Sequence, residues 1–126
     1  MSLHFMCLAV PALAALLGSP AFAGGGDPVN GEKLFAVKCG ACHSIEPDKN
    51  KAGPSLFGIV DRPSGSVAGY KYSKALLAAK IHWDLGLIDG YIQDPQDIIK
   101  GTKMPDPKAG RAFERTDIVA YLRTLK

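Results

Sequence analysis

Cys39, Cys42 and His43 stand together in the run Cys39-Gly40-Ala41-Cys42-His43. Two thiols three residues apart can share one helical turn, and a histidine directly after the second is placed to ligate a metal. This C-x-x-C-H spacing is the attachment signature of a covalent haem. The thiols reach the two vinyl groups on one porphyrin edge, and the imidazole of His43 comes to lie under the ring. Two other chemistries use closely spaced cysteines. A redox dithiol of the thioredoxin kind needs a strand-helix-strand context, and no strand pattern appears along this chain. A structural zinc site needs four ligands, whereas beyond residue 23 the only cysteines and histidines are these three and His82. The reading is therefore one haem c, covalent through Cys39 and Cys42, with His43 as an iron ligand.

A second axial ligand must come from elsewhere in the chain. Met104 is the sole methionine beyond residue 23 and lies in Gly101-Thr102-Lys103-Met104-Pro105. Glycine permits a bend there and proline stiffens it, and such a loop can approach a flat cofactor from its far face. A methionine is more often core filler, but one between Lys and Pro is poorly placed for that. His82 is the other candidate, and a vacant sixth position is the third. Met104 is favoured; thioether and imidazole ligands give haem different potentials.

The elements that must position these groups read as helices. Asp27-Pro28 has the pattern of an N-cap followed by proline at the first helical position. Gly31, Leu34 and Phe35 continue a helical stripe toward the attachment site. From Ser44 to Tyr72 the chain is rich in Gly and Pro without a sustained period. A loop this long is unusual in a bare small domain, and wrapping a cofactor accounts for it. Ser73 can cap a short helix through Lys80. Asp84 can cap another, with Leu87, Ile88, Tyr91 and Ile92 on one face. Asp94-Pro95 ends that helix and starts a short one to about Lys100. Thr116 can cap the last helix, where Ile118, Tyr121, Leu122 and Leu125 follow helical spacing. The expected class is all-α, with about five helices and long loops around one haem. The first and last helices each carry one apolar stripe and are expected to bury it against each other.

The chain divides at residue 23. Leu8 to Leu17 is apolar apart from the break at Pro11, and Ala21-Phe22-Ala23 offers the small-x-small pattern of a cleavage site. Residues 1–23 are read as a cleavable signal peptide and 24–126 as one domain, exported to the periplasm. The apolar run is too short to span about 30 Å of hydrocarbon. Cys7 comes too early in it for a lipoprotein signal, and the segment before it lacks Lys or Arg. All 15 Lys and Arg and all 12 Asp and Glu lie beyond residue 23, giving a net charge of +3. That balance does not suggest nucleic acid, which calls for clustered basic residues and a higher pI.

Taken together, the sequence resembles the cytochrome c family of the mitochondrial type, including its bacterial periplasmic members. The resemblance rests on Gly31, Phe35 and Lys38, then on Gly53-Pro54, Leu56-Phe57-Gly58, Arg62 and Tyr72. It continues through Trp83, Tyr91, Gly101-Thr102-Lys103-Met104 and Ile118-Val119-Ala120-Tyr121-Leu122. It implies that the Pro54 carbonyl accepts the Nδ1 proton of His43 and that Tyr91 hydrogen-bonds the sulfur of Met104. It also implies that Arg62, Tyr72, Ser73 and Trp83 hold the haem propionates and that Thr102 belongs to the haem-binding set. It further implies that Gly31 lets the first helix cross the last at close range, beside Phe35 and Tyr121. The chain departs from the family at Asp106, where an aromatic residue is frequent, at Gln96-Asp97, where a lysine pair is frequent, and at Leu76, where a polar residue is. The first two make the exposed haem edge less basic and less apolar.

The expected function is one-electron transport by a soluble monomer, with no catalytic residues and no enzymatic activity of its own. The resemblance implies redox partners: a donor of the quinol-cytochrome c reductase kind and an oxidase-type acceptor, as in a respiratory chain. Membrane contact is expected only through those partners. Lys38, Lys51, Lys103 and Lys108 can ring the haem edge and steer acidic partners. The alternatives are a haem enzyme, peroxidase-like or gas-binding, with a vacant sixth site, and a cytochrome subunit of a larger oxidoreductase complex. A vacant-site enzyme needs a distal acid-base group, and His82 is the one free histidine for it.

Overall fold

Local chemistry starts each helix. In a computed structural model, which describes residues 25–126, the Asp27 carboxylate accepts from the Val29 N–H and opens helix α1, Pro28–Lys38. Ser73 Oγ accepts from the Leu76 N–H at 3.1 Å and opens α2, Lys74–Ala79. Asp84 does the same for α3, Leu85–Gln93, through the Leu87 N–H at 2.7 Å. Asp94 serves twice. Its N–H closes α3 on the Gly90 carbonyl, and its carboxylate accepts from Gln96 and Asp97 at the start of α4, Pro95–Ile98. These four starts match the sequence reading. The expected signal segment, with Cys7, lies outside the described residues.

The last helix differs from expectation. Helix α5 spans Ala112–Leu122, so it begins a full turn before Thr116, and no side chain caps it. Thr116 instead donates its hydroxyl back to the Ala112 carbonyl at 2.9 Å. The start is held by Arg115, only 7% exposed, whose guanidinium donates to the Gly110 carbonyl at 2.7 Å and to Asp89 at 3.3 Å. A long-range cation thus replaces the local cap that sequence reasoning looks for.

Helices α1 and α5 pack together, as their stripes require. A Cβ on Gly31 would stand 1.9 Å from the Asp117 carbonyl oxygen, so only glycine allows this approach. Phe35 and Tyr121 close the crossing with ring centroids 5.7 Å apart. The Asp117 carboxylate also accepts from the Asp27 N–H and from Asn30 Nδ2, both at 2.7 Å, tying α5 to the first turn of α1. Among the described residues the five helices are joined by long loops, with one isolated bridge between Pro63 and His82 as the sole extended pairing. The fold is all-α, and no helix among the described residues is long and apolar enough to cross a membrane.

Candidate haem site

Between the α1–α5 pair, α3 and the two long loops lies a cavity of about 410 Å³. Its walls include Ile59, Leu76, Ile88, Ile92, Ile118 and Leu122, so its lining is largely aliphatic. Space of this size and character suits an apolar cofactor. Every residue expected at the site lines it: Cys39, Cys42, His43, Pro54, Arg62, Tyr72, Ser73, Trp83, Tyr91, Thr102 and Met104.

The attachment motif forms one tight turn after α1. The Cys39 carbonyl accepts from the N–H groups of both Cys42, at 3.0 Å, and His43, at 2.9 Å. Both thiols are free, Cys39 half-buried and Cys42 exposed. Burial pushes the Cys39 thiol up to about 11, against the opposing charge of Lys38.

His43 is oriented by the loop beneath it. Its Nδ1 lies 2.8 Å from the Pro54 carbonyl, as the resemblance implied. A carbonyl only accepts, so Nδ1 carries the proton and Nε2 keeps the lone pair that a metal needs. Burial lowers the imidazole pKa, partly offset by the Pro54 bond, which favours the neutral ligand form. Gly53 is the floor of this arrangement: a Cβ there would lie 2.4 Å from His43 Cε1. The Gly53 N–H is itself bound to the Cys42 carbonyl at 2.7 Å.

Met104 arrives on the loop after α4. The bend is at Gly101, whose φ of 90° favours glycine. Tyr91 differs from expectation here. Its hydroxyl meets Thr102 Oγ1 at 2.5 Å rather than the sulfur of Met104. A hydroxyl oxygen is a better partner than a thioether sulfur, and Thr102 is buried within reach. Thr102 Oγ1 in turn accepts from the Met104 N–H at 3.4 Å. Tyr91 therefore acts on the methionine loop through Thr102. Burial raises its phenol pKa, with the Thr102 bond pulling the other way.

The polar side of the cavity has a mixed outcome. Arg62 lines it, but its guanidinium donates to the carbonyls of Phe57, at 2.8 Å, and Ser55, at 2.9 Å, bracing its own loop. Tyr72 accepts from the Val67 N–H at 3.1 Å, and Ser73 accepts at the start of α2. Each of these hydroxyls keeps its own proton to donate. Trp83 is buried against Tyr91, ring centroids 4.9 Å apart.

Of the four lysines expected at the haem edge, Lys38 and Lys103 line the cavity, and all four are tethered. Lys38 Nζ stands 3.6 Å from Glu114 Oε2 and donates to the Lys108 carbonyl at 2.9 Å. Lys108 pairs with Asp106 at 2.9 Å, and its hydrogen bonds hold the Asp106 carboxyl below the usual range. Lys103 donates to the Lys71 carbonyl and sits 4.6 Å above the Tyr70 ring. Lys51 donates to the Gly40 carbonyl at 2.7 Å. Tyr70, which sequence reasoning did not single out, lines the cavity and donates to the Ala52 carbonyl at 2.8 Å. It links the loop under His43 to the loop beside Met104, and nothing in its local sequence announces that.

These residues fit a haem. Two free thiols and a neutral imidazole lie on one turn against an aliphatic cavity, and the glycine behind His43 leaves room for the ring it supports. No cluster of three or more His, Cys, Asp or Glu able to hold a bare metal ion occurs among the described residues. The cytochrome c family model matches residues 28–126. Cytochrome c2 of Rhodopila globiformis is 46% identical over 101 residues, covering 80% of this chain and 95% of that protein. Cytochrome c of Euglena viridis is 40% identical, covering 80% of this chain and 99% of its own length. The solved structure of cytochrome cH from Methylobacterium extorquens superposes with a TM-score of 0.73 at 40% identity, covering 79% of this chain and 99% of that one. Sequence, fold and cavity thus agree that the chain belongs to the cytochrome c family, whose electron carriers hold one covalent haem c through a cysteine pair, here Cys39 and Cys42.

Proposed function

We propose that the protein is a soluble one-electron shuttle with His43 and Met104 as the two axial ligands of its haem. The observation that carries the reading is that the thiol pair, His43 and Met104 all line one aliphatic cavity. The bound haem supplies a one-electron iron couple. The chain's residues hold that couple and keep it away from substrates. His43 would bind the iron through Nε2, because Pro54 fixes its other nitrogen. Met104 would supply the second ligand to the iron, so a small molecule would have to displace it first. Tyr72 and Ser73 would offer hydroxyl protons to the propionates, and Arg62 would supply positive charge near them, because buried carboxylates need donors. The aliphatic wall excludes water and holds the surroundings fixed between oxidation states.

Residues 1–23 act as a signal peptide removed after Ala23, and the carrier works in the periplasm as a monomer. Its partners are a membrane-bound reductase of the quinol-oxidising kind and an oxidase-type acceptor. It has no enzymatic activity of its own. The test is a potentiometric titration with carbon monoxide added to the ferrous protein at neutral pH. A reversible one-electron wave with no carbon monoxide complex is the expected outcome. Ready carbon monoxide binding would instead make the sixth position vacant and the protein a ligand-binding haem protein.

A further inference from the structure

Gln96 occupies a position where lysine is frequent in the family, and the function described so far gives it no part. Its side chain nevertheless makes two hydrogen bonds into the methionine loop. Nε2 donates to the Thr102 carbonyl at 2.8 Å, and Oε1 accepts from the Gly101 N–H at 3.0 Å. Both polar ends of one rigid amide therefore engage two consecutive loop residues. A lysine can reach the carbonyl but has no acceptor for the N–H, so only an amide makes both bonds.

The amide itself stands on fixed ground. It projects from α4, whose first turn is held by the Asp94 carboxylate and whose end is closed by the Ile99 N–H on the Pro95 carbonyl at 3.0 Å. The other side of the loop is held by Tyr91, through the Thr102 hydroxyl. Thr102 is thus gripped twice, by its carbonyl from α4 and by its hydroxyl from α3. Two residues later comes Met104.

We propose that Gln96 is a positioning residue that clamps the Gly101–Met104 loop and so sets how readily the Met104 sulfur leaves the iron. The proposal rests on the His43/Met104 ligation given above. Swinging Met104 away requires the loop to open, and opening breaks both amide bonds together. An external ligand that competes with Met104 binds only the open form. Its apparent affinity therefore rises in proportion to the open population.

The test uses the intact ferric holoprotein and cyanide as the competing ligand at neutral pH. Wild type is compared with Gln96→Leu, Gln96→Glu and, as a control on the same helix, Asp97→Asn. Gln96→Leu removes both bonds and is expected to bind cyanide about tenfold tighter, the size set by two modest hydrogen bonds at a partly exposed site. Gly101 amide exchange should quicken by a similar factor, with the far-red band of sulfur-bound iron retained before cyanide is added. Gln96→Glu keeps the acceptor for Gly101 but not the donor to Thr102, and should fall between. The clamp alone is overturned if the wild type shows the far-red band yet Gln96→Leu leaves cyanide affinity within about twofold and Gly101 exchange unchanged. It is also overturned if Asp97→Asn shifts both as much. A wild type with no far-red band overturns the Met104 ligation and the clamp together.

Discussion

Gly53→Ala probes the support of His43 directly. The added methyl would lie 2.4 Å from Cε1, 2.7 Å from Nδ1 and 2.9 Å from Nε2 of the imidazole, where ordinary contact begins at 3.4 Å. The ring must therefore move by about 1 Å, or the loop must retreat as far. Neither is easy. The Gly53 N–H is bound to the Cys42 carbonyl at 2.7 Å and its carbonyl accepts from Lys51 at 2.9 Å, while His43 is anchored to the Cys39 turn. Overpacking of this kind costs about 1–3 kcal/mol. Losing the His43–Pro54 bond adds about 1 kcal/mol, for roughly 2–4 kcal/mol together. For a domain of this size each kcal/mol shifts Tm by about 4–8 °C, so a fall on the order of 10–25 °C is expected. Thermal melts of the holoprotein followed by circular dichroism measure it. Gly58→Ala sets the scale: nothing lies within 4 Å of its Cβ and its φ is +63°, so it should cost only the left-handed backbone penalty of about 1–2 kcal/mol. A Gly53→Ala protein that melts within about 2 °C of wild type would show that the imidazole is not seated against Gly53, and the account of its orientation would fail.

Other perturbations test separate parts of the structure. Gly31→Ala places a methyl 1.9 Å from a backbone oxygen of α5; forcing the terminal helices apart should cost about 4 kcal/mol or more, seen as a lowered urea midpoint. Tyr91 has a folded pKa raised above its ordinary 10.0 by burial. Its contribution is complete below pH 10 and is lost as pH rises through the raised value, at up to about 1.4 kcal/mol per pH unit. Urea titrations above pH 10 should therefore show a shallower decline in Tyr91→Phe than in wild type. Asp106→Asn releases Lys108 from its 2.9 Å pair. Electron transfer to an acidic partner should quicken at low ionic strength, and the gain should vanish in concentrated salt, where screening shortens to about 3 Å at 1 M.

The parts of this protein that were legible in its sequence are those settled by neighbours. Asp27-Pro28, Ser73, Asp84 and Asp94-Pro95 each cap a helix through bonds to residues two or three positions on. The Cys39–His43 turn likewise closes on itself. Thr116 misled because its type suits a cap, whereas α5 starts where Arg115 reaches the Gly110 carbonyl and Asp89. The tethers of the lysines were not legible for the same reason. Lys38 meets a carbonyl 70 residues away, and Tyr70 one 18 residues away. Which carbonyl falls within reach is decided by how the loops wrap the cavity, and no local pattern encodes it. For Tyr91 the resemblance implies the Met104 sulfur as partner, one link beyond the Thr102 hydroxyl it meets.

The proposed axial ligands of the haem are His43 from the attachment turn and Met104 from the loop after α4. The most direct test is the far-red absorption spectrum of the ferric holoprotein at neutral pH, recorded for wild type and Met104→Ala. This ligation predicts the band of thioether sulfur on ferric iron in the wild type and its loss in Met104→Ala. A wild-type spectrum without the band, or a band that survives in Met104→Ala, would contradict it.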